Sequence, residues 1–189
     1  MSQIMIVQQR VKIPNRLIEN REPEQKARYG CVFCVTGREE SVAISLEAQN
    51  HDLKAASVSQ VKYKSFHGIK STEQKIIMPG YVYFQTKSHK PPDLRYVEDS
   101  IRLLCPSEKN WALWGMDEWF AKWLFENHGV IGMSKARINA ENRVEAVIGP
   151  LKILEDYIRR VDKRGHGAQV ALPFYDREVL IWLPYELVQ

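Results

Sequence analysis

From Arg143 onward the chain breaks into short β-prone runs, and this rhythm limits its fold more than any other feature. Arg143–Ile148, Tyr157–Val161, Ala168–Leu172, Val179–Leu183 and Glu186–Val188 are separated by turn signals at Gly149-Pro150, Gly165-His166-Gly167 and Tyr175-Asp176. Strands this short and this evenly spaced predict a small all-β barrel, since closure removes the open edges that a sheet of about 50 residues would present.

Upstream the texture is mixed. Tyr29–Val35 is an apolar run of strand length, and Thr36 with Glu39 three residues on has the spacing of a capping box. Val42, Leu46 and Gln49 then recur at helical spacing, so a helix is expected to end near Asn50–His51. Val58–Phe66 reads as a strand with Gly68 at a turn, and Gln74–Met78 leads into the Pro79-Gly80 turn. Tyr81–Thr86 and Ile101–Cys105 read as strands, Leu94–Asp99 as a short helix, and Asp117–Asn127 as a helix capped by Asp117 and broken at Gly129. The short polar stretch around 129–136 reads as a linker. The expected organisation is therefore a polar arm over 1–26, an amino-terminal domain over 27–128, the linker, and the barrel over 137–189.

Composition narrows the function classes. The 189 residues carry a formal net charge of +4, which permits a polyanionic partner without requiring one. Residues 137–189 hold as many acidic as basic side chains. Any basic surface is therefore local: Lys54, Lys62, Lys64, Lys70 and Lys75 face the single acid Glu73 between residues 54 and 75, and Arg160, Lys163, Arg164 and His166 gather around a glycine-bearing turn. Both groups are candidate nucleic-acid contacts. A regular strand sends Arg159 and Arg160 to opposite faces. Three cysteines make no disulfide framework and suit a cytoplasmic protein. Cys31 and Cys34 lie in one apolar strand, where residues three apart face opposite ways, so the pair reads as neither a metal nor a redox site. The five histidines are scattered, and no phosphate loop or nucleophile elbow is present. No enzymatic activity and no cofactor are expected.

Four of the five tryptophans, Trp111, Trp114, Trp119 and Trp123, fall close together. They read as a helix packed on its own domain, with Trp111 and Trp114 as alternative anchors for a partner.

Three segments together resemble the NusG family of transcription elongation factors, and more closely its LoaP-type antiterminator paralogues. Tyr29-Gly30-Cys31-Val32-Phe33 followed by Thr36-Gly37-Arg38-Glu39-Glu40 is similar to that family's first strand and helix entry. Met78-Pro79-Gly80-Tyr81-Val82 is similar to its Pro-Gly-Tyr-Val turn. Gly149-Pro150-Leu151-Lys152, Val161-Asp162-Lys163-Arg164 and Ala168-Gln169-Val170 resemble a KOW domain. Two departures stand out: Leu151-Lys152-Ile153-Leu154-Glu155 lacks the glycine usual after Gly-Pro, and Tyr29-Gly30 replaces the family's Trp-Tyr.

The resemblance implies an α+β protein, a NusG-type amino-terminal α/β sandwich followed by an SH3-like KOW barrel. It implies a groove for the clamp region of RNA polymerase, drawn from Tyr29, Phe33, Phe66, Pro79, Gly80, Tyr81 and Tyr83. Tyr81 and Tyr83 share one strand face, Val82 and Phe84 the other. One face is expected to cover the helices and the other to receive a partner helix. Nearby RNA or DNA, and a ribosomal protein or termination factor at the barrel, are the further partners implied. The alternative is a ribosome-associated KOW protein that packs RNA.

Overall fold

The computed structural model describes residues 26–66, 69–105, 110–175 and 177–188; the side chains of 62–66 and 69–72 lie outside the description. So does the expected polar arm, apart from Lys26. The architecture is mixed α/β and dominated by strands.

The first sheet joins β1 (Arg28–Cys34), β2 (Leu53–Ser57), β5 (Tyr81–Thr86) and β6 (Ser100–Leu104) in the order β2-β5-β1-β6. β2 was not legible in the sequence: Leu-Lys-Ala-Ala-Ser has weak strand propensity and is held by pairing along β5. Period-two alternation divides the residues of β1 and β5 between two cores. Val32, Cys34, Val82 and Phe84 pack with Val42, Ala43 and Leu46 of α1 (Glu39–Gln49) and with Trp111. Tyr29, Cys31 and Tyr83 pack on the other side with Phe120 and Leu124 of α2 (Gly115–Glu126) and with the carboxy-terminal strands. Cys31 and Cys34 thus belong to opposite cores, both buried and unpaired.

The second sheet is a hairpin of β3 (Ser59–Phe66) and β4 (Ile69–Ile76), with β7 (Val130–Ile131) paired in parallel at its base. The third sheet has the order β10-β11-β12-β8-β9, from β8 (Ser134–Ile138), β9 (Val144–Ile148), β10 (Ile158–Asp162), β11 (Gly167–Phe174) and β12 (Arg177–Leu187). β12 runs through what the sequence suggested were two strands. At Pro184, which has no N–H to give, it leaves its antiparallel partner β11, and from Tyr185 it pairs in parallel with β8.

Residues 129–136, expected as a linker, hold β7 and the start of β8, with Gly132 and Met133 between them. Gly149 (φ +95°) turns the chain into α3 (Pro150–Ile153), whose Leu151 N–H donates to Ser134 Oγ at 2.9 Å. A Cβ on Gly149 would stand 2.9 Å from Ser134 Cα. The expected helix at Leu94–Asp99 is instead a series of turns: Asp93 accepts the Arg95 N–H at 3.0 Å, and Val97 and Ser100 bond three residues back. No helix among the described residues is long and apolar enough to cross a membrane.

The departure at Gly30 has a packing reason. Gly30 pairs with Phe84, and a Cβ there would fall 2.2 Å from the Phe84 ring. Phe84 lies over the glycine and stacks on Trp111 at 5.5 Å. Trp111 is accordingly core, its indole N–H donating to His89 O, whereas Trp114 is 69% exposed.

Candidate functional site

The Pro79-Gly80 turn is fastened from outside itself. Glu39 does not complete a capping box; Arg38 is the N-cap residue of α1 and makes no side-chain cap. The Glu39 carboxylate, 1% exposed, accepts the Gly37 N–H at 3.0 and 3.1 Å and the Gly80 N–H at 2.7 Å. The Thr-x-x-Glu spacing signalled a bond within the helix start, but the carboxylate reaches the turn of the neighbouring strand. Gly80 has φ +83°, and a Cβ there would meet the Phe33 ring at 3.0 Å and Cys34 O at 3.3 Å. Cys34 N–H donates to Gly80 O at 2.9 Å, fixing where β5 begins beside β1. Pro79 is exposed and Gly80 buried.

Antiparallel register then sets Phe33 opposite Tyr81 and Cys31 opposite Tyr83. The Phe33 and Tyr81 rings lie 5.4 Å apart and are half-buried. Tyr83 is fully buried against Phe120 at 5.8 Å, and Tyr29 is 8% exposed beside Phe125 at 6.0 Å. Burial raises the Tyr83 hydroxyl and the Cys31 thiol well above their ordinary pKa values and pushes the Cys34 thiol up to about 11. The Phe66 side chain lies outside the description.

Both faces of the first sheet are covered, one by α1 and the other by α2 and the third sheet. The β11–β12 turn lies on the Tyr81 face. Phe174, at the end of β11, meets Tyr81 edge-on at 5.2 Å and Tyr83 at 5.9 Å, and it is 2% exposed. Arg177 donates to the Tyr81 hydroxyl, and its guanidinium stands 5.8 Å from the ring centroid. The Tyr175 N–H donates to the Asp117 carboxylate at 3.1 Å. Asp117 therefore secures this contact and does not cap α2, whose N-cap is Trp114. Desolvation raises the Asp117 pKa, and the Tyr175 N–H offsets part of the rise. The sequence reading treated Tyr175-Asp176 as a turn only and did not include Phe174, Tyr175 or Arg177 in the site.

The basic candidates lie elsewhere. In the β3–β4 hairpin the backbone pairs Lys62 with Glu73, Lys64 with Ser71, Lys70 with Ser65 and Lys75 with Gln60. Lys75 is exposed, and the side chains of Lys62, Lys64 and Lys70 are outside the description. Lys163, Arg164 and His166 sit in the exposed β10–β11 turn, which Asp162 organises by accepting the Arg164 and Gly165 N–H groups at 3.0 Å. His166 (φ +50°) stacks on Tyr185 at 5.7 Å. Register shifts between Ile158 and Arg160, so Arg159 and Arg160 are both exposed where a regular strand would separate them; Arg159 pairs with Glu178 at 2.6 Å. This turn lies at the opposite end of β11 from Phe174, about 23 Å away at strand rise.

No family model matches the chain, and no curated protein matches it. Among solved structures it is similar to one titled "Domain interaction in Thermotoga maritima NusG", at 16% identity and a TM-score of 0.39, over 84% of this chain and 94% of that one.

Proposed function

We propose that this chain is a NusG-like factor that binds the clamp region of RNA polymerase through the Phe33–Tyr81 face and promotes processive antitermination. Sequence carries the family reading, through three motif segments in family order and spacing. One observation bears on how the face works: the aromatic surface fixed by the Glu39-held turn is occupied by Phe174 of the carboxy-terminal unit, read as a KOW barrel. A partner helix on that surface takes the place of the Phe174 ring, so binding requires the barrel turn to leave.

The released barrel presents the basic turn around Lys163 and Arg164 to RNA, while the β3–β4 hairpin carries lysines toward nearby nucleic acid. No bond chemistry is involved. The protein acts by occupancy, holding the enzyme's clamp closed and raising the local concentration of a second partner.

Co-purification with core RNA polymerase tests the reading, followed by transcription across a terminator with and without its upstream leader RNA. Leader-dependent read-through is the expected result. Failure to retain polymerase refutes the proposal, and read-through without the leader points to a general elongation factor.

A further inference from the structure

β12 buries one face and turns the other to water. Ile181 and Leu183 are 2% and 1% exposed in the core, whereas Trp182 between them is 41% exposed and Leu180 56%. Pairing sets Trp182 beside Gln169 and Gln169 beside Arg160, so the three form one row across β12, β11 and β10 on the outer face of the third sheet. The ring has a seat. A Cβ on Gly167 would stand 3.4 Å from Trp182 Cε3, so the benzo edge of the indole lies along the β11 backbone. Cations gather beside it: Arg160 is exposed, and the exposed β10–β11 turn adds Lys163 and Arg164. Acids share the face but are engaged. Glu178 pairs with Arg159 at 2.6 Å, and Asp162 accepts the Arg164 and Gly165 N–H groups at 3.0 Å. An open indole beside these cations offers a surface for stacked bases and a charge for the backbone that joins them.

We propose that this outer face binds an unpaired stretch of RNA, with one base stacked on Trp182 and the neighbouring phosphates on Arg160, Lys163 and Arg164. Arg160 stands two strands from Trp182, about 10 Å at sheet spacing, a gap that its side chain and one nucleotide span together. Every base has a π-face, so this site takes bases with little sequence preference. A duplex keeps its bases stacked on one another and offers none to the ring. The excess of cations favours a polyanion over a neutral peptide. The face is exposed while Phe174 covers Tyr81, so the full chain presents it. This inference deepens the RNA part of the proposed function and rests on it for the choice of RNA over DNA.

Fluorescence anisotropy of a labelled oligouridine titrated with the full chain at about 50 mM salt tests it. Wild type is expected to bind the single strand, and to bind it more tightly than the same strand annealed to oligoadenosine. Trp182→Ala should weaken the single strand about 5- to 150-fold, the worth of one stacked base. Trp182→Leu keeps an apolar cover over Gly167 and should be as weak as the alanine protein, with Trp182→Phe between it and wild type. Arg160→Gln should flatten the slope of log affinity against log salt by about 0.7, whereas Trp182→Ala leaves that slope unchanged. Circular dichroism checks the folding of each variant. Absence of binding by wild type overturns the proposal, as does wild-type affinity in folded Trp182→Leu. Duplex binding as tightly as the single strand refutes the stacking. Polyglutamate displacing the RNA at equal charge refutes the nucleic-acid class, and tighter binding of oligodeoxyuridine refutes the choice of RNA. The titration contains no polymerase, so loss of RNA binding refutes this inference alone, while failure to retain polymerase refutes the reading on which it rests.

Discussion

Replacing Phe174 with alanine should release the carboxy-terminal unit from the Tyr81 face. The ring makes two contacts across the junction, with Tyr81 at 5.2 Å and Tyr83 at 5.9 Å. Aromatic pairs in such geometries contribute about 0.5–1.5 kcal/mol each beyond area burial, so docking loses about 1–3 kcal/mol. At about 1.4 kcal/mol per tenfold, the undocked population rises about 5- to 150-fold. The Tyr175 amide reports this directly, because its N–H donates across the junction to Asp117. Its hydrogen-exchange rate, corrected for the altered neighbour, should rise by that factor. Amides of Ile181 and Leu183 inside the third sheet should accelerate less. Phe174→Leu, which keeps most of the apolar volume without the ring, should fall between. Unchanged Tyr175 exchange in Phe174→Ala would refute the reasoning, and so would equal acceleration at all three amides, which would mean that the third sheet itself had loosened.

Glu39→Ala leaves the Gly80 and Gly37 amides without their acceptor, and should cost about 3 kcal/mol in urea unfolding, with Glu39→Gln about half as damaging. Gly30→Ala drives a methyl into the Phe84 ring and should destabilise by about 1–3 kcal/mol, read as a lower midpoint in the same assay. The Asp117 pKa is raised in the folded protein, so the folded state holds this proton more tightly than the unfolded one does. Its penalty is absent below the ordinary value of 3.8 and grows as pH rises from there through the raised value. Urea midpoints of wild type and Asp117→Asn measured from pH 3.5 to 6 should differ increasingly against the wild type, and a flat difference would contradict the assignment.

Much of the fold could be read from local pattern. Period-two alternation in Tyr81–Phe84 assigns Tyr83 and Phe84 to the two cores they occupy, and Gly129 (φ +77°) ends α2 where a glycine break is expected. The turns at Leu94–Asp99 arise from local bonds, with Asp93 accepting the Arg95 N–H, but the other misses come from contact between residues distant in sequence. Glu39 and Asp117 carry good helix-start chemistry, yet each carboxylate answers an amide on another element, Gly80 and Tyr175. β2 exists because β5 has a free edge, and Arg159 departs from alternation because β10 carries a bulge. Tyr81 was identifiable as a candidate from its motif. Phe174 was not, since nothing in Pro173-Phe174-Tyr175 tells which surface the turn will meet.

The account turns on the Phe33–Tyr81 surface being both a polymerase site and the seat of Phe174. Affinities of labelled wild type, Phe174→Ala and Tyr81→Ala for core RNA polymerase, measured side by side with folding checked by circular dichroism, test this most directly. Phe174→Ala is predicted to bind most tightly and folded Tyr81→Ala most weakly, with wild type between. Identical affinities for the three proteins, or no binding by any, would contradict it.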